Sequence, residues 1–131
     1  MIQGHCHCSK VTWRFEGLPE SSTACNCSVC RRYATLWAYD FDGERIHVEG
    51  PTRAYSWGEG GIGFHFCETC GNLAYWRAVR PRDDGRRRIA VNLRLAGKLE
   101  DVAAIPIRHL DGFESWKDVE RGTRTVGDLW F

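Results

Sequence analysis

Apolar and polar residues alternate along most of this chain, with the two-residue period of strands that bury one face. In VTWRF, Val11, Trp13 and Phe15 share a face. Residues 35–41 and 45–50 flank Asp42-Gly43, a dipeptide favoured in tight turns, and this predicts a hairpin. RAYSW runs into the glycine-rich GEGGIG, which marks a turn, and IGFHFC then alternates through Ile62, Phe64 and Phe66 to deliver Cys67 at a strand end. Residues 73–80 lead to Pro81 and Asp84-Gly85, a second hairpin tip, and residues 88–95 alternate through Ile89, Val91, Leu93 and Leu95. Pro106 in VAAIPIRH suits an edge strand, because proline cannot donate to a ladder. Only ESWKDVERG has a helical period; it predicts a short C-terminal helix of about two turns, stopped at Gly122. The pattern therefore predicts a mainly β chain of antiparallel sheets with one short helix.

Size and charge narrow the reading. The 131 residues favour one domain over 1–131, and a hydrophobic share of 43% places the chain among globular proteins. Eighteen Lys and Arg against 17 Asp and Glu give a formal charge of +1, which offers no global field for nucleic acid. The run Arg86-Arg87-Arg88 follows Asp83 and Asp84 and reads as a solvated hairpin tip. No stretch reaches the ~20 apolar residues of a membrane span, and the N-terminus lacks the basic start and apolar run of a signal peptide. The expected address is cytoplasmic, where most cysteines stay reduced.

Cysteine usage carries the chemistry. Seven cysteines fall into three tight groups: Cys6 and Cys8; Cys25, Cys27 and Cys30; Cys67 and Cys70. An odd count, a reducing compartment and C-x-C spacing argue against disulfides. Packing alone does not explain the grouping. Thiolate ligands select zinc, cuprous copper or iron–sulfur clusters, and C-x-x-C knuckles most often hold tetrahedral zinc. Gly71, after Cys70, suits the left-handed backbone that closes such a knuckle.

Spacing allows two partitions. Cys27, Cys30, Cys67 and Cys70 could form one ribbon-type site. Alternatively, Cys6 and Cys8 join Cys67 and Cys70 in a closed site, leaving Cys25, Cys27 and Cys30 with one coordination position open. The second keeps every local group whole and is preferred. A closed site is structural and an open one catalytic or ligand-binding. Three thiolates on Zn²⁺ leave a net negative charge, so the metal acidifies water poorly and suits a fourth sulfur, a substrate thiol. Arg31 and Arg32, next to this group, could compensate its charge or clamp a substrate carboxylate. His65, Tyr39 and Asp40 are candidate bases, and Trp37, Trp57, Tyr75 and Trp76 candidate walls of an aldehyde pocket.

With these residues in view, the chain resembles the glutathione-dependent formaldehyde-activating enzyme family, which includes centromere protein V. The landmarks are GHCHC, CNCSVCRR, FCETCG and a late DGFESW, and they span nearly the whole chain. The family often has glycine where this chain has Ser9, and histidine where it has Asn26. The resemblance implies an Mss4-like fold of several coiled antiparallel β-sheets. It implies two zinc ions per chain, one structural at Cys6, Cys8, Cys67 and Cys70, and a weaker one at Cys25, Cys27 and Cys30. It further implies a carbon–sulfur lyase-type enzyme that adds a thiol such as glutathione, the co-substrate, to an aldehyde such as formaldehyde. Cys25, Cys27 and Cys30 would be its catalytic residues and Arg31 and Arg32 its cofactor-binding ones. The expected partners are a small-molecule thiol and aldehyde, with no nucleic acid and no membrane, and a homo-oligomer is compatible with the sequence. The alternative is a zinc-stabilised binding or scaffold module without catalysis, whose three-cysteine site finds a fourth protein ligand or a partner's ligand.

Overall fold

The computed structural model describes residues 1–130. Its strands, in chain order, are β1 (Ile2–His5), β2 (Thr12–Phe15), β3 (Ser22–Cys25), β4 (Trp37–Phe41), β5 (Ile46–Glu49), β6 (Thr52–Tyr55), β7 (Ile62–Cys67), β8 (Leu73–Ala78), β9 (Arg88–Asn92) and β10 (Ile107–Leu110). Three form a small sheet in the order β1-β2-β5, and seven a large one in the order β10-β3-β4-β9-β8-β7-β6. The mainly β expectation holds, and β10 lies at a sheet edge, directly after Pro106.

Strand alternation gives the large sheet two different faces. Ala38, Val91 and Tyr75 stand opposite one another and face the core shared with the small sheet, among Ile2, Val11, Trp13, Phe15 and Ile46. The adjacent row, Phe64, Trp76, Ala90 and Tyr39, lies one residue out of phase and so faces the other way. It packs a second cluster that contains Cys27, Val29, Cys30 and Trp37. The protein thus has one core between its sheets and another between the large sheet and a cysteine loop.

Three expectations are corrected. Gly43 does close a tight turn, at φ 78° with its N–H on the Ile46 carbonyl at 2.9 Å. The flanking strands do not pair, however: β4 pairs with β9 and β5 with β2, so the turn carries the chain from one sheet to the other. Both strands bury residues that a two-stranded hairpin would leave wet, such as Ile46 opposite Phe15. The sheets are not wholly antiparallel, because β10 runs parallel to β3 with Ile107 opposite Ser22.

The predicted helix over residues 114–122 does not form. Trp116 and Val119 are exposed, so a helix there would have no face to bury, and two isolated turns do not persist in water. Instead Asp111 gathers the segment into a turn. Its carboxylate accepts from the Glu114 and Ser115 N–H groups and the Ser115 hydroxyl. The strand-like return runs beside β10, with the Val119 N–H on the His109 carbonyl at 2.9 Å. The α-helix of the described residues is α1 (Cys30–Tyr33), within the cysteine loop.

Candidate functional site

The first cysteine group sits between β1 and β2, in the small sheet. After Cys6 the chain reverses at Ser9, which adopts φ 63°, and its N–H returns to the Cys6 carbonyl at 2.9 Å. Val11 donates its N–H to Cys6 Sγ at 3.3 Å. The last group ends β7, in the large sheet. Gly71, at φ 77°, lets its N–H reach the Cys67 carbonyl at 3.0 Å and closes the knuckle as its position suggested. Asn72 ties the two loops together, because its Oδ1 accepts the His7 N–H at 2.7 Å. Lys10 Nζ adds a second tie to Thr69 Oγ1 at 3.1 Å.

These ties bring four sulfurs from two sheets to one point. Cys6, Cys8, Cys67 and Cys70 place their Sγ atoms within 4.8 Å of one another, with Cys8 Sγ 3.6 Å from Cys6 Sγ and 3.5 Å from Cys67 Sγ. A tetrahedron with Zn–S of about 2.3 Å has edges of about 3.8 Å, so the donor set fits zinc in both chemistry and size. Cys6 and Cys67 are buried in the core between the sheets. Backbone N–H groups of Asn72 and Cys8 lower the Cys70 thiol to about 6, which eases loss of its proton to a cation. His7, between the two cysteines, is exposed, and so is His5.

The second cluster lies at the end of β3 and the start of α1. Cys25, Cys27 and Cys30 bring their sulfurs within 4.8 Å of one another. The Cys27 N–H points at Cys25 Sγ and the Cys30 N–H at Cys27 Sγ, each at 3.4 Å, so every thiol but the last is already met by a backbone donor. Trp37 supplies the last, its Nε1 donating to Cys30 Sγ at 3.2 Å. Contacts with the Cys25 and Cys30 thiols, and the backbone N–H groups of Cys30 and Val29, hold the Cys27 thiol far below its ordinary value. The same contacts push the Cys25 and Cys30 thiols up. Among the described residues, no histidine or carboxylate joins these three sulfurs.

The three sulfurs open into a cavity of about 700 Å³, whereas the four-sulfur set does not line it. Its walls are the aromatic rings of Trp37, Tyr39, Trp57, Phe64, Trp76 and Trp116. Arg88, Arg108 and Glu59 bring charge to the same cavity. Burial raises the Tyr39 phenol above its usual value. Of the residues singled out in the sequence, Trp37, Tyr39, Trp57 and Trp76 reach this site. Tyr75 faces the opposite core, stacked on His65 at 4.4 Å, and Asp40 is held by Arg45 at 3.2 Å. Arg31 and Arg32 do not line the cavity. Both are exposed on α1, and Arg32 turns back to the Ser28 carbonyl at 2.7 Å and lines a neighbouring groove.

Several site residues are not evident from the sequence. Gly112 packs so closely on the cluster that a Cβ there would lie 2.5 Å from Cys25 Sγ and 2.9 Å from Cys27 Cβ. Asn26 fastens this loop with both ends of its amide, donating to Asp111 Oδ1 at 3.2 Å and accepting the Phe113 N–H at 2.9 Å. DGFESW stands out as a sequence landmark, yet nothing local tells that it folds back over Cys25. Arg88 was readable in principle, since it shares the strand face of Ala90.

Residues 1–109 match the family described as "Glutathione-dependent formaldehyde-activating enzyme". No curated protein matches the sequence. A crystal structure of a Rhodobacter sphaeroides protein has the same fold: TM-score 0.60 at 24% identity, over 80% of this chain and 98% of that one.

Proposed function

Because the chain belongs to the glutathione-dependent formaldehyde-activating enzyme family and has its mainly β, Mss4-like fold, we propose that it is a zinc-dependent enzyme of carbon–sulfur bond chemistry. In this reading a thiol of the glutathione type adds to an aldehyde such as formaldehyde. The sulfur lone pair forms the C–S bond, the carbonyl π pair moves to oxygen, and that oxygen takes up the proton the thiol has lost. The reverse step is the lyase direction.

The observation that carries the proposal is the contrast between the two clusters. Cys6, Cys8, Cys67 and Cys70 make a complete set of four, two in the core that joins the sheets and two half-buried against it, so their role is structural. Cys25, Cys27 and Cys30 make a set of three that opens into a cavity, and no protein ligand completes it among the described residues. This favours chemistry over the scaffold reading. A zinc ion held there would bind a substrate thiol as thiolate. The chain supplies the rest: Trp37 fixes Cys30 by its N–H, Gly112 and the Asp111 turn cover Cys25, and the aromatic residues give the reacting carbon an apolar lining.

The proposal covers residues 1–131 as one zinc-binding domain. The family match ends at residue 109, but Val126 is buried in the same core as Ile2 and Gly112 seats on Cys25. All seven cysteines are free, which suits the reducing cytoplasm proposed as its location, and no helix of the described residues is long and apolar enough to cross a membrane.

The test is a panel of thiols and aldehydes assayed for adduct formation, before and after a chelator strips the weaker metal. Two zinc ions per chain are expected, with turnover lost as the first leaves and the fold kept. A single ion per chain, or activity indifferent to the first ion, would overturn the reading.

A further inference from the structure

The sequence suggested that Arg86, Arg87 and Arg88 form one solvated tip, but the structure separates them. Arg86 is taken by Glu44 through two contacts, Nε to Oε1 at 2.7 Å and Nη2 to Oε2 at 2.8 Å. Arg88 begins β9 and stands two residues before Ala90, so its side chain leaves the sheet on the face of the Phe64, Trp76, Ala90 and Tyr39 row. Its guanidinium lies 5.8 Å from the Tyr39 ring centre and 5.7 Å from that of Trp76. Ala90, buried between the two, is small enough to leave that seat open. Arg88 thus lines the cavity within cation–π range of two rings, contacts that do not consume its donors. Arg108, on the same wall, is already paired with Asp118 at 3.0 Å. Among the described residues, no carboxylate pairs with Arg88.

We propose that Arg88 is a specificity-determining residue that binds a carboxylate of the ligand, and that the cavity at Cys25, Cys27 and Cys30 takes a carboxylate-bearing ligand whose flat body stacks on the aromatic walls. The proposal rests on the thiol-and-aldehyde reading of the site and narrows its substrate class. A planar guanidinium with five donors and no acceptor matches a carboxylate in two parallel hydrogen bonds. Arg88 is exposed, so its donors are open to a ligand that enters the cavity from solvent. A cavity of about 700 Å³ is far larger than formaldehyde needs, and aromatic residues make up much of its lining, which suits an unsaturated body. The carboxylate can belong to the thiol or to the aldehyde, and the test separates them.

The test uses the full zinc-loaded chain and follows quenching of the cavity tryptophans, which reads binding without turnover. The thiol pair is 3-mercaptopropionate and its amide; the aldehyde pair is 4-carboxybenzaldehyde and benzaldehyde. In the wild type the acid of at least one pair should bind ten- to a hundredfold more tightly than its neutral partner. The pair that shows this preference identifies which substrate carries the carboxylate. Arg88→Gln should abolish the preference and leave the neutral partners unchanged, and Arg88→Lys should restore only part of it. 4-Carboxybenzaldehyde should also bind more tightly than glyoxylate; the reverse order would remove the stacking part of the claim. Equal affinity within both pairs, or an equal loss for acid and neutral ligands in Arg88→Gln, would overturn the role of Arg88. A cobalt-substituted sample keeps the underlying reading separate. If no thiol produces a thiolate-to-cobalt absorption band, thiol binding is lost, while the aldehyde pair still decides the case of Arg88.

Discussion

Trp37 Nε1 donates to Cys30 Sγ at 3.2 Å, and Trp37 is almost fully buried. The indole reaches across from β4, an interior strand of the large sheet, to the last sulfur of the open cluster, so the sheet sets the position of that sulfur. An N–H···S bond also draws charge from a thiolate and favours its ionised form. Trp37→Phe keeps an aromatic ring but deletes the donor, together with the buried five-membered ring that carries it. The three-cysteine site should lose about ten- to a hundredfold in zinc affinity, as is usual when a ligand's hydrogen-bond partner is removed. Competition with a chromophoric chelator checks this, and the tighter ion should be unaffected.

Gly112 sets a steric condition on the same cluster. The Cβ added by Gly112→Ala would fall 2.5 Å from Cys25 Sγ, closer than any relaxed contact, and Cys25 cannot yield without leaving its partners. The expected result is zinc content falling from two toward one per chain, with an unchanged far-ultraviolet spectrum, since the four-cysteine set lies elsewhere. Full occupancy in the variant would show that the loop gives way instead.

What the sequence makes legible follows from the range of the forces involved. Alternation in residues 11–15 and 62–67 and the grouping of cysteines are local, and they announce β2, β7 and both clusters. The Asp42-Gly43 turn is also local, but whether its flanks pair with each other depends on Phe15 and Arg88, far away in sequence. The parallel pairing of Ile107 with Ser22 leaves no local trace at all. ESWKDVERG misleads because its period is helical, while Asp111 offers the backbone a better set of hydrogen bonds. Arg31 and Arg32 are adjacent to the ligands in sequence, yet α1 turns them outward; Arg88, more than fifty residues on, reaches the cavity because of strand parity.

Ser9 holds a left-handed backbone, φ 63°, at the position where the family often has glycine. A side chain there costs about 1 kcal/mol. Its exposed contact with His5 Nδ1, at 3.3 Å, returns little. Ser9→Gly should relieve the strain but gain freedom in the unfolded chain, for a net stabilisation of about 0.5 kcal/mol. Thermal unfolding of the zinc-loaded protein should shift upward by roughly 1–3 °C. A downward shift would mean that the Ser9 hydroxyl orders the first knuckle.

Asp111 makes the loop over Cys25 sensitive to acid. Hydrogen bonds from the Ser115 backbone and hydroxyl, from Asn26 and from the Glu114 backbone lower its carboxyl from 3.8 to about 2. The folded protein therefore binds this proton less readily than the unfolded chain does. The stabilisation it provides is complete above about pH 4 and is lost as pH falls toward 2. Asp111→Asn removes the ionisable group and weakens the turn at neutral pH. The variant should be less stable than wild type at pH 7 and should lose less of its stability between pH 4 and 2, so the two curves converge in acid. Urea unfolding of the zinc-loaded protein across that range measures both slopes; wild type and variant hold the same seven cysteines, so proton competition for the thiolates cancels in the difference between the two curves. Parallel curves would show that the Asp111 carboxylate holds the loop no better than a neutral amide does.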